Sequence, residues 1–215
     1  MNRIINIISL RIKRLYNKWV GNNVRGISLL RRFYSFEIVG VNNTIDVRSR
    51  LPKDVRIFIY GNNHRLVIEE GVTFKQGKVW FEDHDCEIRI GAGTTIEEAE
   101  LSVAENGTKI IIGKDCMFSK GVRVTTTDSH SIMSVESGQR INTAKDIEIQ
   151  NHVWLGYNVN INKGVIIEEN SVVAGHSVVT KSVPSNSIVA GLPAKVVKTG
   201  ITWSRQGSKY YHLNI

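Results

Sequence analysis

The chain is short of the residues that would point to several large classes. Only two cysteines occur, Cys86 and Cys116. They offer neither metal-ligand spacing nor a disulfide framework. A reducing, cytoplasmic setting is therefore expected. Prolines number three, and aromatic residues make up 7% of the chain. No apolar run approaches the roughly 18 residues that span a bilayer. In the opening MNRIINIISLRIKRL, the cations Arg11, Lys13 and Arg14 interrupt the apolar residues. No small-residue cleavage site follows, so a secretory signal is not expected. Acidic residues are outnumbered, 20 against 28 Lys and Arg, for a net charge of +8. Such a surface draws polyanions through its long-range field. Nucleic acid, anionic lipid, the phosphates of a nucleotide cofactor and an acidic polysaccharide all qualify, and composition does not choose among them.

What the sequence does have is a repeat. Steps of six from Ile149 reach Leu155, Ile161, Ile167, Val173 and Val179, all aliphatic. The fifth letters of the same words are Val153, Val159, Val165, Ser171, Ser177 and Val183, all small or β-branched. Upstream, Ile68 leads to Phe74, Ile90 to Ile96, and Ile112 to Phe118 and Val124 in the same register. A period of six matches neither 3.5 nor 3.6 residues, so a helix or heptad fails. Each word instead supplies a short strand and a corner, and stacked coils share one core. The first letter points into a narrow interior and the fifth sits in a tight corner. Gly and Asn between them permit positive φ. The intervals Ile68 to Ile90 and Ile90 to Ile112 are each 22 residues. A triangular coil of three words takes 18 residues, so each early coil carries about four more. Gly61-Asn62-Asn63 and Asp83-His84-Asp85 are the expected sites of these extras.

Residues 1–35 read as a basic helical segment, with Ile4, Ile5, Ile8, Ile12 and Leu15 at helix spacing. It is expected to pack on the solenoid or on a neighbouring subunit. Membrane-surface binding is the alternative, and it is not favoured. Residues 36–197 form the all-β domain, a parallel β-helix. Within it DSHSIMSVESGQRINTAKD, 128–146, breaks the repeat and reads as an extruded loop, a feature that tends to be functional. Residues 198–215 form a C-terminal tail.

One break in the register carries chemistry. The step of six from Val124 lands on His130, where an aliphatic residue is due and the coil opens into the loop. Imidazole is the commonest general base. A loop histidine with only structural hydrogen bonds is the competing reading. His152 and His176 fall at fourth letters and His64 and His84 in the polar insertions, so all four read as surface histidines. A zinc site of His130, His152 and His176 is disfavoured by those outward corners. Trp154 precedes the inward Leu155 and should face out, either as an interface residue or with its indole N–H toward a ligand. Lys181 and Lys195 lie near the last coils, where cations would suit phosphates.

The segments TTTDSHS and HVWLGYNVNINKGVIIEENSVVAGHSVVTKSVPSNSIVAGLPAKVVK resemble the hexapeptide O-acetyltransferases related to galactoside and maltose acetyltransferases. The match covers about the last 85 residues of the fold closely and the earlier coils by pattern. More narrowly, the spacing of His130 and Trp154, the basic charge and the extra N-terminal helix resemble capsular polysialic acid O-acetyltransferases. The resemblance implies a left-handed β-helix, although the rule for parallel crossovers alone would give the other hand. It further implies an acetyl-CoA-dependent O-acetyltransferase with His130 as catalytic base and Trp154 positioning the donor. Tyr157, Gly175, Thr180, Lys181 and Lys195 match coenzyme A contacts. A backbone N–H near Gly156 would stabilise the oxyanion. Neither an acyl-enzyme, nor a metal, nor nucleic acid is implied. The partners implied are a sialic-acid-containing polysaccharide and two further copies of the chain, with each active site between subunits. Arg140 or Lys145 would meet an acceptor carboxylate. A neutral or amino sugar as O- or N-acetyl acceptor is the alternative. Ser129 and Ser131 flank His130 where relatives often carry histidine or proline, and His176 replaces a usual glycine.

Overall fold

The structure is a computed structural model and describes residues 20–26 and 36–206. It is a parallel β-solenoid with three walls. The first wall is a seven-stranded sheet of β1 (Asn23–Arg25), β3 (Thr44–Val47), β5 (Arg65–Ile68), β7 (Glu87–Ile90), β9 (Lys109–Ile112), β12 (Ile147–Ile149) and β15 (Ile166–Ile167). The other two walls belong to one twelve-stranded sheet. In its early coils β2 (Phe36–Val39), β4 (Val55–Tyr60), β6 (Thr73–Phe81) and β8 (Thr95–Val103) stack in parallel. The nine-residue β6 and β8 run through both walls without a break. Above β8 the walls separate. Thr95 and Ile96 pair with β10 (Met117–Phe118), while Ala99 to Ser102 pair with β11 (Val122–Thr125). The second wall continues through β13 (Trp154–Leu155), β16 (Val172–Val173) and β18 (Ser187–Gly191), and the third through β14 (Asn160–Ile161) and β17 (Val178–Val179). An antiparallel strand, β19 (Ala194–Thr199), closes the stack on β18.

The six-residue register is realised side chain by side chain. Ile149, Leu155, Ile161, Ile167, Val173 and Val179 are all buried, as are the fifth-letter residues Val153, Val159, Val165, Ser171, Ser177 and Val183. The fourth letter is the turning point. His152, Asn158, Gly164, Asn170 and His176 all have positive φ, between 54° and 76°. Asparagine and glycine suit that left-handed corner. The two histidines adopt the same corner at greater backbone cost, and the coil continues unbroken through His176 where a glycine is usual.

The extra residues of the early coils fall at the corner between the third and first walls, where Asn62 bridges to His84. That corner is wide enough to bury polar side chains, and they form a ladder. The backbone N–H of Asn43 donates to Asn22 Oδ1, that of His64 to Asn43 Oδ1, and that of Cys86 to His64 Nδ1. Thr108 and Thr126 continue it with hydroxyls 3.2 Å apart. The coils therefore satisfy each other's buried donors one step at a time.

Two expectations need correction. The segment 1–35, expected to be helical, contains strand β1 in its described part, because Asn22 and β1 extend the ladder and the first wall by one coil. The apolar positions from Ile4 to Leu15 lie outside the described residues. His64 is not a surface histidine but 1% exposed. Its Nδ1 accepts from Cys86 N–H and its Nε2 faces Tyr60 O at 3.2 Å, so the ring is neutral with its proton on Nε2. Burial pushes its pKa below the ordinary 6.5, against the opposing bond to Tyr60 O. The unfolded chain then takes up this proton first. Stability from His64 is complete above about pH 6.5 and falls as pH drops toward the depressed native value. The melting temperature should decline between pH 7 and 5, and less steeply in His64→Asn, which extends the asparagine ladder. Equal slopes for the two proteins would contradict this origin.

Candidate active site

His130 follows β11 at the corner between the third and first walls, as the register break predicted. There the chain leaves the solenoid between Thr126 and Ile147 and returns through a short antiparallel contact, Met133 with Arg140. The His130 side chain is exposed. Its backbone is tightly held: its N–H donates to Asp128 O and its carbonyl accepts from Asn142 Nδ2, both at 2.8 Å. Ser129 just before it sits at φ 65°. Such a conformation persists in a non-glycine residue only where the surroundings enforce it.

The neck of the loop supplies that enforcement. Glu105, from the coil below, accepts from Thr127 Oγ1 at 2.8 Å on the outgoing strand and from Ala144 N–H at 3.2 Å on the returning one. Arg140 grips the same carboxylate with two nitrogens, at 2.8 and 2.5 Å. From the coil above, Lys163 reaches Asp128 Oδ2 and Asn142 O, each at 2.6 Å. Lys145 N–H closes the neck onto Thr126 O at 3.0 Å. The Arg140 guanidinium, helped by Thr127, holds the Glu105 carboxyl at a pKa of about 2, and Lys163 with Asn142 lowers that of Asp128. Arg140 is thereby committed to Glu105 and does not extend toward an acceptor, contrary to expectation. Lys145 stays exposed.

The remaining residues named from sequence fall into two groups. Trp154 lies on the second wall and is 38% exposed beside the buried Leu155, so it faces outward. At the corner beyond it, Tyr157 is exposed and meets His176 edge-on at 5.3 Å, and Gly175 packs against the Tyr157 backbone. Lys195, on β19, pairs with Ala190 at the end of the same wall. Thr180 and Lys181 instead follow β17 at the corner between the third and first walls, on the edge that carries His130. The Gly156 N–H donates to Val173 O at 2.8 Å in the coil stack, so that group is not available to an oxyanion. Among the described residues no group of three His, Cys, Asp or Glu could hold a metal ion.

The tail carries contacts that the sequence did not disclose. Trp203 is buried, stacks on His152 at 4.1 Å and donates its indole N–H to His152 O at 2.7 Å. His152 is therefore roofed by the tail rather than left on the surface. It also meets Asp115 Oδ2 at 2.7 Å, and Arg205 binds the other oxygen of that carboxylate at the same distance. Trp203 also lies 6.0 Å from the Trp154 ring, so the tail borders the second-wall group. Its sequence has no period, and such a return path can be read only from coordinates.

No family model matches the sequence. Individual relatives do. The chain is 42% identical over 202 residues to the polysialic acid O-acetyltransferase of Neisseria meningitidis, covering 92% of each. The crystal structure of the polysialic acid O-acetyltransferase OatWY superposes with a TM-score of 0.71 at 38% identity, over 86% of this chain and 88% of that one. That of the polysialic-acid-specific acetyltransferase NeuO superposes with a TM-score of 0.65 at 34% identity, over 81% and 91%. The solenoid is thus that of a hexapeptide-repeat acetyltransferase, an enzyme. Likeness at this level over nearly the whole length is specific, and the chain belongs to the polysialic acid O-acetyltransferases.

The neck makes a testable statement about acid. The Glu105 carboxyl is held at about 2, well below its ordinary 4.5, so its contribution is present above about pH 4.5 and lost as pH falls toward 2. Protection of the Ala144 amide from hydrogen exchange should disappear across that window. Glu105→Gln should cost on the order of 1 kcal/mol at neutral pH and abolish the acid dependence. Persistent protection at pH 2 would refute the assignment.

Proposed function

We propose that this protein transfers the acetyl group of acetyl-CoA to a hydroxyl of sialic acid in a capsular polysaccharide, in a trimer, with His130 as general base. The likeness to the Neisseria meningitidis enzyme over 92% of both chains carries the reaction and the acceptor class. The net charge of +8 suits an acidic polymer. His130 takes the proton of the acceptor hydroxyl as that oxygen attacks the thioester carbonyl; the carbon–sulfur bond then breaks, and the thiol leaves with a proton. A base so placed typically contributes about 10²–10⁴-fold. The acceptor oxygen attacks the thioester directly, so no acyl-enzyme is needed, and both cysteines are buried.

Topology supports a site shared between subunits. His130, Thr180 and Lys181 occupy one edge of the prism, whereas Trp154, Tyr157, Gly175 and Lys195 belong to the opposite wall and the corner beyond it. The packed core, with Val124, Ile149 and Leu155 all buried, lies between the two groups. One chain cannot bring them to a common substrate. Two chains side by side can, with the loop-bearing edge of one against the tryptophan wall of the next. The exposed apolar residues Ile132, Met133, Val135 and Ile141 on the loop suit a contact with that neighbour.

Labelled acetyl-CoA and a panel of capsular polysaccharides test the acceptor. Label on sialylated polymers is expected, and label confined to a neutral or amino sugar would overturn the assignment. His130→Ala should keep its fold and lose about 10²–10⁴-fold in kcat. Near-wild-type turnover would remove it as base. The shared site predicts complementation. Chains carrying His130→Ala and chains carrying Trp154→Ala, unfolded and refolded together, should regain activity that neither has alone. A mixture as inactive as its parts would argue against a site between subunits.

A further inference from the structure

The His130 side chain is exposed, so whatever fixes its direction acts through the backbone. We propose that Asn142 is the positioning residue for His130, clamping the main chain of the base between the two strands of the loop neck. The proposal rests on the reading of His130 as general base.

Asn142 is 8% exposed, and its side chain uses both ends. Its Nδ2 donates to His130 O and to Asp128 Oδ2, each at 2.8 Å. Its Oδ1 accepts from Ile132 N–H at 2.7 Å and from Arg140 Nε at 3.2 Å. Two acceptors on one side and two donors on the other fix the orientation of the amide. They also demand a short side chain that both donates and accepts, and asparagine alone meets that demand at this length. An aspartate would keep the acceptor half and lose the donor half. The residue thus ties positions 128, 130 and 132 of the outgoing strand to the returning strand. Lys163 pins the Asn142 carbonyl from the coil above, and Arg140 links the amide to Glu105 in the coil below. His130 sits at the centre of this frame, directly after the left-handed Ser129. A base must reach its proton at hydrogen-bonding distance, and a misplacement of about 1 Å can cost about 10²-fold in rate.

A merely structural role predicts a different outcome, and an exchange of side chains separates the two. Asn142→Asp removes the donor to His130 O and sets two carboxylates side by side. The double variant Asp128→Asn/Asn142→Asp restores a hydrogen bond between 128 and 142 and relieves that repulsion, yet still leaves His130 O without its donor. Steady-state kinetics with the acceptor that the wild-type protein labels should show kcat reduced about 10- to 100-fold in both variants. KM for acetyl-CoA should be unchanged, and the double variant should melt within a few degrees of wild type. A double variant with wild-type kcat would overturn the proposal, as would a loss expressed wholly in KM for acetyl-CoA. His130→Ala in the same assay keeps the premises apart. If it is inactive while the double variant is fully active, only the positioning role fails. If it is itself fully active, the base assignment fails first.

Discussion

A single coil of this solenoid cannot exist alone. Its inner face is a few aliphatic side chains and its backbone groups point along the axis, so both burial and hydrogen bonding are completed only by the next coil. Every wall strand is paired in parallel register with the strand one coil away, except where β19 turns back to close the end. The constraint is strict. Each side chain stands above its equivalent one coil earlier, and an inward position stays inward along the whole stack. Ile68, Ile90, Ile112 and Ile149 are one such column, buried throughout although the spacing between the last two includes the whole loop.

That column explains how the loop is tolerated. The stack resumes at Ile147 in register with Ile110, so the excursion adds length at a corner without disturbing either wall. The corner it leaves from is the one where the early coils already carry extra residues and a buried polar ladder. Thr126, the last member of the ladder, supplies through its carbonyl the acceptor that closes the neck. Glu105, on the preceding level of the same corner, provides the carboxylate around which the neck is built. The site is thus a continuation of the corner stack rather than an addition to it.

What was legible in the sequence follows from this repetition. Inward and outward positions, the break at His130, the outward Trp154 and the place of the extra residues were all readable, because each is a deviation from, or a consequence of, a fixed period. Residues whose roles depend on contacts between different levels were not. His64 sits in a polar insertion, and only the ladder reveals it as buried. Glu105, Asn142 and Lys163 come from three separate stretches of chain and meet only because the coils stack. Arg140 looked available because its partner, Glu105, lies 35 residues earlier and meets it only through the stacking of the coils. The tail was opaque for the same reason, since Trp203 and Arg205 find their partners 51 and 90 residues away.

The stacking rule also decides where functional residues can stand. A prism with a packed interior offers only grooves on its outer surface; its functional residues must stand on edges and walls. Residues on one edge share a column and can cooperate, as His130, Lys163 and Lys181 share theirs. Residues on an opposite wall are separated by the core and cannot. His130 on an edge and Trp154 on the opposite wall of one chain are therefore held apart by its core. A loop held by ion pairs to the coils above and below is already formed before any substrate arrives, so binding need not be spent on ordering it. The exposed apolar residues Ile132, Met133 and Val135 follow directly on the segment whose backbone Asn142 holds at His130 and Ile132.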